Sequence, residues 1–236
     1  MSYPQICLID SDIVAYRSAC TVPDKEPESY ALHNAKLLMQ KITDQFDRGL
    51  EQRGFLTGEG NYREKLATIA PYKGNRKDVP KPKYLQAVRD YLVYAWGAEI
   101  VDGREADDAL GCMQYAAKDK STCIVTVDKD LHMIPGWNYN PVTGVHKYIT
   151  LTEANQFFYT QLLTGDRVDN IKGVRNLGPK KAAKLLDGLT EEKHLYNACR
   201  AQYTGVHGFD GDKFLEENAN LLWIQRKENE LWQKPI

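Results

Sequence analysis

Acidic side chains recur along this 236-residue chain, each beside an apolar run or a turn. Asp10 follows Ile6-Cys7-Leu8-Ile9, and Glu59 follows Phe55-Leu56-Thr57-Gly58. Glu105, Asp107 and Asp108 open an apolar-periodic stretch, and Asp128 and Asp130 close the run at 122–127. Asp166 and Asp169 stand three apart ahead of a glycine-punctuated turn, Gly173 to Gly178, and a lysine-rich helix. Converging, these nine carboxylates could not stay bare, because like charges a few Å apart raise each other's pKa strongly. Oxygen donors without His or Cys point to magnesium or manganese rather than zinc. Two such ions about 3.5–4 Å apart would stabilise the attacking and leaving oxygens in hydrolysis of a phosphodiester. Two dications do not neutralise nine carboxylates, so some acids must bind through water or pair with bases such as Lys73 and Arg76.

The bases are clustered as well. Net charge is -1, yet residues 63–89 carry Arg63, Lys65, Lys73, Arg76, Lys77, Lys81, Lys83 and Arg89 against only Glu64 and Asp78. Residues 172–184 carry Lys172, Arg175, Lys180, Lys181 and Lys184 with no acid. Two basic segments on a near-neutral chain suggest a local polyanion site. A turn that ends at a helix N-terminus can hold a phosphate on backbone N–H groups.

The elements that must position these groups follow from periodicity. Short apolar strands are expected at 6–9, 55–57, 98–101 and 122–127, and each ends at acidic residues. Helices are expected from about Asp12, from a Ser29 cap, over 83–95, from Glu105 and over 152–163. The segment at 138–145 reads as a hairpin turn. Helices follow around 195 and over 215–224, with a glycine-rich loop at 205–211 between them. Strand–helix alternation predicts a mostly parallel sheet, with ligands at the strands' C-terminal edge. A first domain at 1–160 would precede a helical region at 161–236.

Composition excludes several classes. Hydrophobic residues make up 42%, and no apolar run approaches the ~20 residues of a membrane span. No signal-peptide pattern is visible, and five cysteines without C-x-x-C spacing fit a reducing cytoplasm. There is no Walker A segment, no G-x-S-x-G and no H-E-x-x-H. The five histidines are scattered, and Asp128-Lys129-Asp130 lacks the glycine and distal glutamate of a calcium loop.

Together these segments resemble the 5′ nuclease (flap-endonuclease-like, PIN-like) family, and in particular the stand-alone bacteriophage 5′-3′ exonucleases. The matching residues are Leu8 to Asp12, Gly58-Glu59, Tyr72 to Arg76, Glu105 to Asp108, Val127 to Asp130 and Gly165 to Ala182. The resemblance implies an α/β PIN-like domain with a basic arch at about 72–95 and a helix–three-turn–helix DNA-binding element. It implies a first metal site from Asp10, Glu59, Glu105 and Asp107. A second site is implied from Asp107 or Asp108 with Asp128, Asp130, Asp166 and Asp169. Lys73 and Arg76 match bases that contact the scissile phosphate, and Tyr72 would stack on a base near the 5′ end. A potassium ion is implied on the carbonyls of Lys172, Val174 and Leu177, with Gly173, Gly178, Lys180, Lys181 and Lys184 along the duplex.

The expected activity is magnesium-dependent cleavage at 5′ ends of duplexes, nicks or flaps, with manganese as a substitute. RNA–DNA hybrids, RNA-primer removal in phage replication, a monomer and a cytoplasmic location are part of the same expectation. Departures from the family pattern are Glu59 in place of aspartate, Asn176 in place of glycine, and Lys181 in place of a small hydroxyl residue. A PIN-type ribonuclease and a non-catalytic structure-specific DNA-binding protein are the alternatives.

Overall fold

The computed structural model describes residues 4–23, 25–46, 50–117 and 121–236. Its main sheet contains β1 (Ile6–Asp10), β2 (Glu51–Thr57), β3 (Glu99–Val101), β4 (Thr122–Val125), β5 (Gly136–Asn140) and β6 (Val145–Ile149). Their spatial order is β3-β2-β1-β4-β5-β6. All pairings are parallel except β5 with β6. The expected hairpin turn at 138–145 is the β5–β6 connection.

The chain builds outward from β1 to β3 on one side and then starts again at β4 on the other. The ends of β1 and β4 therefore flank the point where strand order reverses, the place where open α/β sheets bind ligands. Asp10 ends β1, and Thr126 and Asp128 follow β4.

Successive β1 side chains face opposite layers. Cys7 and Ile9 pack with α1 (Ser11–Cys20), α2 (Glu28–Thr43) and the later α4 (Leu85–Trp96). Leu8 packs into a larger core with α5 (Ala106–Ala116), α6 (Leu151–Thr164), α7 (Pro179–Leu186), α8 (Glu192–His207) and α9 (Gly211–Leu222). That core runs without a break from the sheet into the C-terminal helices and includes Trp223 and Trp232.

Three expectations are corrected and one element is added. Residues 85–96 are not part of a free-standing arch, because Val88 and Leu92 of α4 are fully buried against the α1 and α2 layer. What remains of the arch is the connection at 67–84, between α3 (Tyr62–Leu66) and α4. Glycines at 205–211 do not make an open loop. Helix α8 runs to His207 and α9 starts at Gly211, where a Cβ would come within 2.6 Å of the Thr204 Cα. That glycine lets the two helices close into a hairpin. Ser29 does not cap α2, whose N-cap is Pro27. Lastly, a two-residue ladder absent from the sequence reading joins β7 (Gly165–Asp166) to β8 (Ile171–Lys172). Among the described residues, no helix is long and apolar enough to cross a membrane.

Candidate active site

Asp10 is almost fully buried and is held from two sides. Its Oδ1 accepts the Ile13 N–H (3.1 Å) as the cap of α1, and its Oδ2 accepts the Thr126 hydroxyl (2.7 Å). Thr126 thereby ties the ends of β1 and β4 together. Asp128 turns the chain after β4, its Oδ1 accepting the Asp130 N–H at 2.9 Å. Helix α5 begins just past β3 and presents Glu105 and Asp107 from its first turn.

Two adjoining clefts collect these groups. Asp10, Asp12, Glu105, Asp107 and Asp128 line one, together with Lys73 and Lys81. Glu105, Asp107, Asp128, Asp130, Asp166 and Asp169 line the other, together with Arg63, Lys73 and Arg76. Acids from four separate stretches of sequence thus meet at the sheet's switch point.

Their electrostatics match that crowding. Burial pushes the Asp10 carboxyl up to about 7, with the charges of Asp12 and Asp128 adding to it against its two hydrogen bonds. Burial likewise raises Asp107 well above the usual carboxylate range, helped by Asp10, Asp128 and Glu105. Asp130 is pushed up to about 7 by burial and then by Asp128 and Asp166. A site that penalises its own negative charges is one that gains from a bound cation. Among the described residues, no three acids, histidines or cysteines stand close enough around one point to hold an ion as they are. The donor set, all oxygen and mutually repelling, nevertheless fits a hard divalent cation.

Lys73 supplies the nearest positive charge. Its ammonium pairs with Glu105 and lies 3.7 Å from Asp169. Burial opposes that charge, but Glu105 and Asp169 outweigh it and hold the lysine above its usual value. Arg76 lies 3.4 Å from Asp169. Glu105 also accepts the Asn61 amide at 3.0 Å.

Three expected site residues lie elsewhere or are engaged otherwise. Asp108 is fully buried and points away from the clefts. Both its oxygens bind the Arg63 guanidinium (2.7 and 2.8 Å), and it accepts the N–H groups of Glu105 (3.2 Å) and Gln225 (3.0 Å). A carboxylate so saturated belongs to the framework. Glu59 is exposed and lines neither cleft. Its N–H bonds the Asp102 carboxylate at 2.7 Å and its carbonyl accepts from Gly103 at 2.8 Å, which turns the β2 end outward. Tyr72 is buried, with its hydroxyl within bonding distance of Glu105 (3.1 Å) and Asp169 (2.9 Å), so its ring is not free to stack on a base.

Two members of the basic segment are also spent internally. Arg63 serves Asp108, and Arg89 pairs with Asp12.

Sequence reasoning missed Gln161. This buried α6 side chain donates to Asp130 Oδ1 (3.1 Å) and Asp166 Oδ2 (3.0 Å), bridging two acids from different segments. Its signal was a polar residue among the apolar positions of the 152–163 helix. Asp166 is fixed further by the Val168 N–H at 2.6 Å.

Downstream, Gly165 and Gly173 stack backbone on backbone. A Cβ on Gly165 would lie 2.2 Å from the Gly173 nitrogen, and one on Gly173 would lie 2.3 Å from the Gly165 nitrogen. The Val174 N–H then reaches the Leu163 carbonyl (2.8 Å), folding the 173–178 turn against the end of α6. Asn176 adopts the left-handed conformation expected of it, at φ 62°.

Helix α7 starts beside this turn with exposed Lys180, Lys181 and Lys184 and no acid in its first turn. Lys180 and Lys181 in the first turn oppose the helix dipole, whereas Lys184 in the last turn suits it. Two of the carbonyls expected to hold potassium each accept one hydrogen bond and keep a second lone pair. The Lys172 carbonyl already accepts Asn218 Nδ2 (2.8 Å), and the Val174 carbonyl accepts the Leu177 N–H (3.2 Å). Lys181 Nζ meanwhile bonds the Asn176 carbonyl at 3.1 Å. The turn thus carries an ammonium of its own.

Solved structures share this fold. The bacteriophage T5 5′-exonuclease with divalent metal ions (zinc) bound aligns at TM-score 0.58 and 16% identity, covering 92% of this chain and 99% of that one. The catalytic core of Rad2 in complex with DNA substrate aligns at TM-score 0.55 and 16% identity, covering 96% and 78%. The chain has the 5′ nuclease fold. In sequence it also resembles that family. A 5′-3′ exonuclease of Buchnera aphidicola is 27% identical over 212 residues, 81% of this chain and 73% of that protein. DNA polymerase I of Caldicellulosiruptor bescii is 26% identical over 223 residues, 81% of this chain but 25% of the polymerase. This 5′ nuclease-like chain therefore spans about a quarter of the length of the polymerase relatives it matches. No protein-family model matches it.

Proposed function

We propose that this protein is a divalent-metal-dependent 5′ nuclease. It would hydrolyse phosphodiester bonds at the 5′ ends of duplexes, nicks or flaps in DNA. The observation that carries the reading is the meeting of Asp10, Glu105, Asp107, Asp128, Asp130, Asp166 and Asp169 beside Lys73 and Arg76. The likeness to a 5′-3′ exonuclease and to nucleases solved with metal or DNA supports it.

Asp10, Glu105, Asp107 and Asp128 would hold one ion, and Asp128, Asp130 and Asp166 would share in a second. Magnesium suits the donors, with manganese as a substitute. Such ions supply Lewis acidity to the scissile phosphate and activate the attacking water. Lys73 and Arg76 would meet the phosphate's negative charge as it enters, exchanging their carboxylate partners for it. The lysines of α7 and the 173–178 turn would seat the duplex through its backbone, which positions DNA without reading sequence. RNA–DNA hybrid cleavage, primer removal in phage replication, a monomeric state and a cytoplasmic location remain part of this proposal.

The deciding test is a panel of 5′-labelled nicked, flapped, blunt and single-stranded substrates, with an RNA–DNA hybrid, in magnesium, manganese and EDTA. Release of 5′ products that EDTA abolishes is expected. Tight structure-dependent binding with no product in either metal would instead favour a non-catalytic DNA-binding protein. Cleavage confined to single-stranded RNA would favour a PIN-type ribonuclease.

A second measurement tests where the duplex lies. Each of Lys180→Ala and Lys184→Ala should lower the slope of log affinity against log salt by about 0.9 if it removes one phosphate contact. Unchanged slopes in both variants would move the duplex off α7.

A further inference from the structure

The basic turn and the acidic loop come from sequence positions about 95 residues apart, yet they are laced together in both directions. Asn75 Nδ2 donates to the Arg167 carbonyl at 2.8 Å. Asn170 Nδ2 donates the opposite way, to the Pro71 carbonyl at 2.9 Å. Between them the Lys73 N–H reaches the Asp169 carbonyl at 3.0 Å.

Two non-glycine residues in this clamp sit in the left-handed region, Lys73 at φ 52° and Asn170 at φ 61°. For a lysine that conformation is unfavourable and persists only where neighbours over-determine it. Here the lacing from Asn75, Asn170 and the Lys73 N–H does so.

The acidic loop is also continuous with the duplex-binding turn. Residues 167–170 close the β7–β8 ladder, and Lys172 at its end leads straight into 173–178. Adjacent residues of α9 grip both partners. Glu217 accepts the Thr68 and Ile69 N–H groups at 2.7 Å, and Asn218 donates to the Lys172 carbonyl at 2.8 Å. An unbroken run of backbone contacts therefore joins the surface that would seat a duplex to the two bases that would meet the scissile phosphate.

We propose that Asn75 and Asn170 are specificity-determining positioning residues: they make the placement of Lys73 and Arg76 depend on a duplex seated at the 173–178 turn. The proposal rests on the nuclease reading above. Without the clamp, the bases would still be present and the duplex would still bind, but the two would no longer be in register. Duplex substrates would lose their advantage over single strands.

The variants that test it are Asn75→Ala and Asn170→Gly, with Asn170→Asp as a second form at that position. Glycine keeps the left-handed backbone free of strain and removes the amide. Aspartate also tolerates that conformation but cannot donate when ionised. The readouts are single-turnover cleavage of a nicked duplex and of a single strand of the same sequence in magnesium, duplex affinity in EDTA, and thermal melting. Each variant should lower the duplex rate by about tenfold, the effect of one lost hydrogen bond at the upper end of its range. The single-strand rate and the duplex Kd should stay as they are. The Asn75→Ala, Asn170→Gly pair should be no worse than either alone, because both open one clamp.

Equal losses on both substrates, or an unchanged ratio between them, would overturn the clamp and leave the nuclease reading standing. A wild-type protein that cleaves neither substrate would overturn the nuclease reading, and the clamp with it.

Discussion

Asp128→Ala should cut the rate of 5′-product release from a nicked duplex by about 10³-fold or more, while the duplex Kd in EDTA changes little. Asp128 lines both clefts and lies among the charges raising both Asp10 and Asp107. With Glu105 and Asp107, which also line both clefts, it is placed to share in both proposed ion sites. Loss of a metal ligand removes several kcal/mol of transition-state stabilisation, and about 4 kcal/mol corresponds to about 10³ in rate. Binding should survive because the lysines of α7 lie on a different element. Single-turnover assays in magnesium, paired with anisotropy titrations in EDTA, measure both. A variant that cleaves at the wild-type rate would remove Asp128 from the metal assignment.

The second large effect separates neighbours in the chain. Asp107→Asn and Asp108→Asn alter adjacent residues of α5 in the same way, yet their consequences should be opposite. Asp107 is crowded by Asp10, Asp128 and Glu105, so neutralising it in EDTA should leave the melting temperature unchanged or higher, with cleavage lost. Asp108 is the buried partner of Arg63, whose guanidinium also bonds the Leu221 and Trp223 carbonyls. Breaking one side of a buried pair costs about 3–5 kcal/mol, or roughly 10 °C in a chain of this size. Calorimetry in EDTA tests both variants. An Asp108→Asn protein that melts with wild type but has lost cleavage would return Asp108 to the metal site.

This pair also marks how far the sequence could be read. Asp10 and Asp128 were legible because a short apolar strand that stops at an acid places it on the sheet's ligand edge, wherever the strand falls in the order. Asp107 and Asp108 were not separable. One residue along a helix rotates a side chain by about 100°, and which neighbour faces the cleft depends on where the helix lies. That position is set partly by Arg63, a base that charge counting grouped with a polyanion site.

Glu59 failed for a related reason. The β2 strand was visible, but the turn beyond it is set by Asp102, a residue whose partner only the fold reveals. Periodicity found α4 and the family resemblance placed it in an arch, and an apolar stripe does not say which layer it packs against. The β7–β8 ladder is two residues long and leaves no periodic trace, although the glycines that permit it, 165 and 173, were in plain view. Gln161 was hidden by its chemistry, because one amide among apolar neighbours looks the same whether it is spare or bridges two acids.

Arg63 has one more consequence. It sits where α3, the start of α5 and the carbonyls that end α9 come together, so a side chain from the first third of the chain closes off the last. The border expected near residue 160 is crossed by a single core and by this buried charge. A protease entering at the 165–178 turn would find no seam along which to part the molecule into a nuclease half and a DNA-holding half.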